Sequence, residues 1–240
     1  MERRGLGRCG GRNRNSDLTM GLTINRRRVM GGKRLPYDAV VEYLSSTYQK
    51  GQRIDTGLVN YGFTTIRFVE KISFPNNSRK VLIGNFYDGN TNGVISIELN
   101  GNKLRLFSRN KAGTVSDYTN TNVLPINTVI QSDILADCAN GTFSFSVKYN
   151  DVIFNGNAPF STDNPCEGTL NMCLFRDWRT ASVVNNIISI YQCSIWGDGV
   201  LLRDFIPVRV GQVGYMYDKV SGQLFGNAGT GDFIVGPDKN

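Results

Sequence analysis

The sequence contains no histidine. That absence removes the commonest general base, the Ser-His-Asp and Cys-His nucleophile systems and the usual zinc sites together. Glutamate is nearly as scarce, with Glu2, Glu42, Glu70, Glu98 and Glu167 the whole set. None stands two residues from another acid along a strand-like segment, so the carboxylate pair that cleaves a glycosidic bond from about 5–5.5 Å apart has no candidate on neighbouring positions of one face. The nearest aspartate pairs, Asp133 with Asp137 and Asp198 with Asp204, fall at a strand end and a turn. No apolar run approaches the roughly 20 residues of a membrane-spanning helix. Five cysteines, Cys9, Cys138, Cys166, Cys173 and Cys193, make an odd count without C-x-x-C spacing. Two of them lie in apolar strand-like segments, and buried reduced thiols are the expectation. The first residues, MERRGLGRCGGRNRNSDLT, have positive charge but no apolar segment behind it and do not read as a secretory signal.

What is present divides unevenly along the chain. Residues 1–34 hold ten basic side chains against Glu2 and Asp17, a net of +8, whereas residues 35–240 hold seventeen basic and eighteen acidic ones. The net charge of +7 therefore describes a basic N-terminal arm (residues 1–34) ahead of a neutral domain (residues 35–240). Arg3, Arg4, Arg8, Arg12, Arg14, Arg26, Arg27 and Arg28 dominate the arm, among Gly and Asn and without apolar periodicity. Such an arm fits three roles: neutralising nucleic-acid phosphates, docking as an anchoring peptide on an acidic protein surface, or extending into solvent ahead of a start at Met20. Anchoring is favoured over nucleic acid, because the domain behind it has no basic-aromatic face.

From Leu35 onward the pattern is strand. TFSFSVKYN (142–150) alternates Phe143, Phe145, Val147 and Tyr149 with polar residues, a period of two with one face for a core. GVISIELN and GNKLRLFSR meet at an Asn100-Gly101 turn, and KYNDVIFNG repeats the device at Asn150-Asp151. About a dozen such segments without helical alternation predict an all-β, two-sheet antiparallel jelly-roll sandwich.

Three stretches invite a chemical reading. GQLFGNAGTGDF (222–233) is glycine-rich, but no lysine follows its last glycine and FIVG stands where a phosphate-binding helix would begin. Turn chemistry accounts for it better. DGNTNG places Asp88, Asn90, Asn92 and Gly93 like the first half of a calcium loop, yet Leu99 occupies the bidentate acid's position. A hairpin turn is the reading there, with calcium as the alternative and no other cofactor expected. Tyr118 and Trp178 stand in polar surroundings, where aromatic rings stack on sugar faces. Arg176 and Arg179 flank the tryptophan, either as part of a glycan-binding surface or as its cover, and both readings stand. Trp196, alternating with Ser194, reads as core.

Two longer stretches carry a resemblance. LPYDAVVEYLSSTYQKGQRIDTGL (35–58) and LLRDFIPVRVGQVGYMYDKVSGQLFGNAGTGDF (201–233) resemble the opening and closing segments of concanavalin A-like (LamG-like) jelly-roll proteins of gut Bacteroidales phages and prophages, of the crAss-like phage type. MGLTINRRRVMGG resembles short leaders of the same proteins. The resemblance brackets the whole sandwich and implies a virion structural protein: a capsid decoration, head-fibre or tail-appendage subunit. It implies assembly in the bacterial host cytoplasm, arm-mediated attachment to other virion proteins, a homo-oligomer (trimeric by family analogy) and adhesion to host or mucus glycans. It supplies no catalytic residues, and neither membrane nor nucleic acid is an expected partner. A glucanase-like jelly-roll enzyme and a bacterial glycan-binding module are the alternatives.

Overall fold

A computed structural model of the chain describes residues 29–30, 33–47, 51–86, 93–110, 112–160, 168–178 and 187–239. The arm arginines Arg3 to Arg28, together with Arg179, Asp88, Asn90 and Asn92, lie outside the described residues, so the anchoring and calcium expectations rest on sequence.

The strands run in chain order from β1 (Val29–Met30), β2 (Lys33–Arg34), β3 (Ala39–Val40), β4 (Leu44–Ser45) and β5 (Ile54–Val59) to β6 (Thr65–Ser73), β7 (Lys80–Gly84), β8 (Val94–Asn100), β9 (Lys103–Arg109) and β10 (Val115–Thr119). They continue through β11 (Ile130–Asp137), β12 (Thr142–Tyr149), β13 (Val152–Pro159), β14 (Asn171–Leu174), β15 (Ser189–Gly197), β16 (Val200–Val210), β17 (Val213–Asp218), β18 (Gln223–Phe225) and β19 (Ile234–Val235). All pairings are antiparallel, and no helix occurs among the described residues. The smaller sheet orders β10-β9-β8-β7-β14-β5. The larger runs β13-β12-β11-β6-β15-β16-β17-β18, with β3, β4 and β19 added at its side. β1 and β2 form a separate two-stranded ribbon.

Alternation explains the layering. On β12, Phe143, Phe145 and Val147 are buried while Ser144 and Lys148 lie at the surface; on β6, Ile66, Phe68, Glu70 and Ile72 point inward. These side chains meet Ile95, Ile97, Leu104 and Leu106 of the smaller sheet in one continuous core. Two-residue hairpins set the registers. Tyr149 pairs with Val152 around Asn150-Asp151 as the sequence predicts, whereas the β8–β9 corners are Gly101 and Asn102, one residue later than predicted. Both of those corners have positive φ, 56° and 61°, a conformation that glycine and asparagine tolerate. Asn157 to Pro159 carry β13 to the end of its pairing with β12.

The glycine-rich closing stretch is a seam. Asn227 Oδ1 accepts from the amides of Arg53 (3.0 Å) and Gly229 (2.9 Å), and the Gly51 amide donates to Thr230 Oγ1 (3.2 Å). A Cβ on Gly229 would lie 1.7 Å from the Gly51 carbonyl oxygen, so only glycine permits this approach. Upstream, buried Asp218 accepts from the amides of Asp204, Val220 and Ser221 and from the Ser221 hydroxyl. Burial alone would raise its pKa, but these bonds hold it below the usual carboxylate value.

Two expectations need correction. Cys138 is disulfide-bonded, while Cys173 and Cys193 are free and buried, so the reduced-thiol reading holds for only those two of the described cysteines. Trp196 is not core. Against β6 the strand runs unshifted here, so Cys193 and Ile195 pair with inward Glu70 and Phe68 while Trp196, two residues from Ser194, pairs with outward Arg67 and its indole is half-buried on the outer face.

Glu70 is the exception within the inward row of β6. Its register partners Ser132 and Cys193 flank it, and the Cys193 thiol donates weakly to Oε1 at 3.9 Å. Glu70 Oε2 and Ser132 Oγ have no hydrogen-bond partner among the described residues. Burial pushes the Glu70 pKa up to about 8 from 4.5, so the folded state holds a proton that the unfolded chain releases. Stability must therefore fall as pH rises from about 4.5 to about 8, by up to about 1.4 kcal/mol per pH unit. Glu70→Gln should remove this slope. Urea denaturation across that range should show the variant gaining on the parent with pH, and parallel curves would place the ionised form in the core.

Candidate functional site

The aromatic residues singled out from sequence are not assembled into one surface. Tyr118 lies in edge strand β10, not in a polar loop. VSDYT alternates, and the ring turns inward to within 6.0 Å of the Phe145 ring, joining the core margin. Trp178 follows β14, four strand positions from β10, or about 19 Å at ordinary strand spacing. Its Nε1 donates to the Asn171 carbonyl at 2.7 Å, its amide donates to the Phe86 carbonyl, and the Arg53 guanidinium carbon sits 4.4 Å from its ring centroid. The cover on Trp178 thus comes from Arg53, a residue distant in sequence. Arg176 is half-buried beside it. One ring face is thus taken by a cation, and the indole N–H is satisfied.

A more open arrangement lies on the outer face of the larger sheet. Register aligns Asn157, Ser144, Leu135, Arg67 and Trp196 across β13-β12-β11-β6-β15. The next row of the same face aligns Asn155, Ser146, Asp133 and Val69. Arg67 spans the rows: its Nε and Nη2 donate to Asp133 Oδ1 and Oδ2 at 2.8 and 2.6 Å, and its guanidinium carbon lies 5.0 Å from the Trp196 ring centroid. Between this braced cation and the sheet edge stand Leu135 and then the short polar side chains Ser144, Ser146, Asn155 and Asn157, with Phe145 also bordering the hollow. The result is a groove of about 690 Å³, within the size range of small-ligand sites. Gly156 keeps β13 tight against the layer below, since a Cβ there would lie 2.4 Å from Phe145 Cζ.

The groove joins apolar surface from Leu135 and Phe145 to hydrogen-bonding groups. Two carboxamides, two hydroxyls and the remaining guanidinium N–H groups offer donors and acceptors along one floor. Asp133 is the one carboxylate among the described lining residues, and the fork of Arg67 already holds both its oxygens. No second acid stands opposite it there, so these lining residues do not form the two-carboxylate arrangement of glycosidases. The sequence signal was present in the outward positions of SFSVKYNDVIFNGN, but a polar outward face reads as solvated until the strands are laid side by side. Among the described residues, no group of three or more His, Cys, Asp or Glu is placed to hold a metal.

The architecture matches solved structures that include glycan-binding modules. A Bacteroides ovatus protein described as carbohydrate-binding superposes with a TM-score of 0.53 at 11% identity, covering 84% of this chain and 61% of its own. The LG4-5 domains of the mouse laminin α1 chain give 0.52 at 9% identity, covering 83% of this chain and 47% of theirs. The CBM40 module of the Ruminococcus gnavus IT-sialidase, bound to α2,3-sialyllactose, gives 0.51 at 14% identity, covering 66% of this chain and 91% of its own. The chain has the jelly-roll sandwich fold of these modules. At such identities the likeness extends to the fold alone. No protein-family model and no curated protein matches the sequence.

The Arg67–Asp133 pair is partly exposed, with side-chain exposures of 46% and 34%, and pairs of this kind contribute little to stability. Asp133→Asn should change the unfolding free energy by under about 1 kcal/mol in urea titrations. A larger loss would make the pair a structural brace and not a feature of the site.

Proposed function

We propose that this protein is a carbohydrate-binding jelly-roll module that holds glycan hydroxyls in the outer-face groove of its larger sheet. The observation that carries the reading is the unbroken bank of Ser144, Ser146, Asn155 and Asn157 beside the Arg67–Asp133 pair. Short polar side chains on a rigid sheet present fixed donors and acceptors at low entropic cost, which suits hydroxyl recognition. The fold shared with the CBM40 module and the B. ovatus protein supports the same reading. Binding is proposed over hydrolysis because Asp133 is engaged by Arg67 and faces no second acid among the described lining residues.

The setting proposed for the module is a phage particle. The closing motif at 201–233 and the basic arm at 1–34 support a capsid decoration, head-fibre or tail-appendage subunit, attached through the arm and displaying the sandwich outward. Multiple copies would turn weak single-site affinity into useful avidity. The disulfide at Cys138 is compatible with a life outside the reducing cytoplasm after release.

Two measurements test this. Displayed as a multimer on a glycan array, the full chain should bind a defined subset of glycans, and Asn155→Ala/Asn157→Ala should weaken that binding about tenfold or more, as expected for lost buried hydrogen bonds. Absence of binding by the parent multimer overturns the glycan reading. Deleting residues 1–34 should abolish incorporation into particles while the sandwich still folds, and normal incorporation overturns the anchoring role.

A further inference from the structure

The groove does not end at Asp133. Two residues back along β11, Gln131 pairs with Lys71 on one side and Lys148 on the other, so the three side chains form the next row of the same outer face. Lys71 stands four residues from Arg67 on β6, about 13 Å along the strand. Two smaller hollows continue the surface here: one of about 280 Å³ lined by Lys71, Tyr191 and Gln192, and one of about 180 Å³ lined by Lys71, Gln131, Lys148 and Tyr149. Lys71 and Val129 border both.

The charge of this row is unbalanced. Neither Lys71 nor Lys148 has an ion-pair partner among the described residues, in contrast to Arg67, Arg79, Arg105, Arg209 and Lys219, each paired with an acid. The other charged groups lining the two hollows are Lys239 and Glu42, which offset each other and leave the two lysines in excess. The lysines stand two strand spacings apart, about 10 Å between backbones, with only a neutral amide between them. Two flexible ammonium groups can therefore close on one anionic group above Gln131.

We infer that the ligand of the groove is an acidic oligosaccharide, with neutral sugar hydroxyls over Ser144, Ser146, Asn155 and Asn157 and a carboxylate or sulfate between Lys71 and Lys148. The span between the two regions calls for an oligosaccharide and not a single sugar. This rests on the glycan reading above and adds the acidic class to it.

The test compares three hexasaccharide probes at fixed ionic strength with the full chain: a neutral cello-oligosaccharide, an oligogalacturonide and a heparin fragment. Lys71→Gln/Lys148→Gln should weaken binding of an acidic probe tenfold or more and leave neutral binding unchanged. Arg3→Gln/Arg4→Gln makes the same change in net charge on the arm and should have little effect. The uronide and heparin arms separate carboxylate from sulfate as the recognised acid. Neutral probes bound as tightly as acidic ones, or an equal loss in the arm variant, overturns the acidic class while leaving the glycan reading intact. No probe bound at all overturns both.

Discussion

The structure turns on the strict alternation of strand β6. It is clasped by β11 over eight registered pairs and by β15 on its other side, at the middle of the larger sheet. Its even residues, Ile66, Phe68, Glu70 and Ile72, enter the core, while Arg67 and Lys71 stand outside. A slip of one residue would carry both cations into the core and Ile66, Phe68 and Ile72 into water, so register here is strongly fixed. The same constraint that closes the core therefore fixes where the groove's cations stand. β12 and β13 follow in register, which lines their Ser and Asn side chains up with Arg67 and Asp133. Fold and site are two faces of one pairing pattern.

Three carboxylates show how partners decide the fate of a charge. Glu98 is fully buried, yet Arg79 donates to both its oxygens, Arg105 adds a bond at 2.5 Å and Ser96 one at 3.0 Å. Charged and hydroxyl donors thus satisfy both its oxygens. Glu70 is equally buried with only a distant thiol as donor, and desolvation keeps it protonated near neutral pH. Asp133 is at the surface, where the Arg67 fork aligns it without burying it. Only this last arrangement leaves oxygen lone pairs facing a groove. A count of acids along the chain cannot separate these three cases, because each depends on what the neighbouring strand presents.

Much of the fold was legible because period-two alternation and short turns are local signals. The Asn150-Asp151 hairpin and the inward Phe143, Phe145 and Val147 were readable from adjacent residues. Two aromatic placements differ from expectation. Tyr118 was judged by its polar neighbours, but strand pairing with β9 turns it toward Phe145; Trp196 was read as opposite Ser194, but it stands two residues from it and so shares the outward side that pairs with Arg67. Arg53, the cover of Trp178, lies 125 positions away in sequence and could not be found from the flanking Arg176 and Arg179. The disulfide at Cys138 had no spacing signature. Groove residues were hidden in the same way, since Ser144 and Asn157 become neighbours only through the β12–β13 register.

The distribution of family-like sequence along the chain follows from this division. The two stretches whose wording marks the opening and closing of the sandwich, 35–58 and 201–233, come together in the structure as the closing seam. There Gly51, Gln52 and Arg53 meet Asn227, Gly229 and Thr230 through backbone-level contacts. At such a seam the backbones approach too closely for a Cβ at Gly229, so its sequence is dictated by closure whatever the sandwich binds. Arg67, Asp133, Ser144, Ser146, Asn155, Asn157 and Trp196 all lie outside both stretches. Their side chains point to solvent from strands whose inward residues carry the packing, so they can change without disturbing the fold. Resemblance at the seam therefore carries architecture, and ligand identity has to be read from the outward rows of β6, β11, β12 and β13.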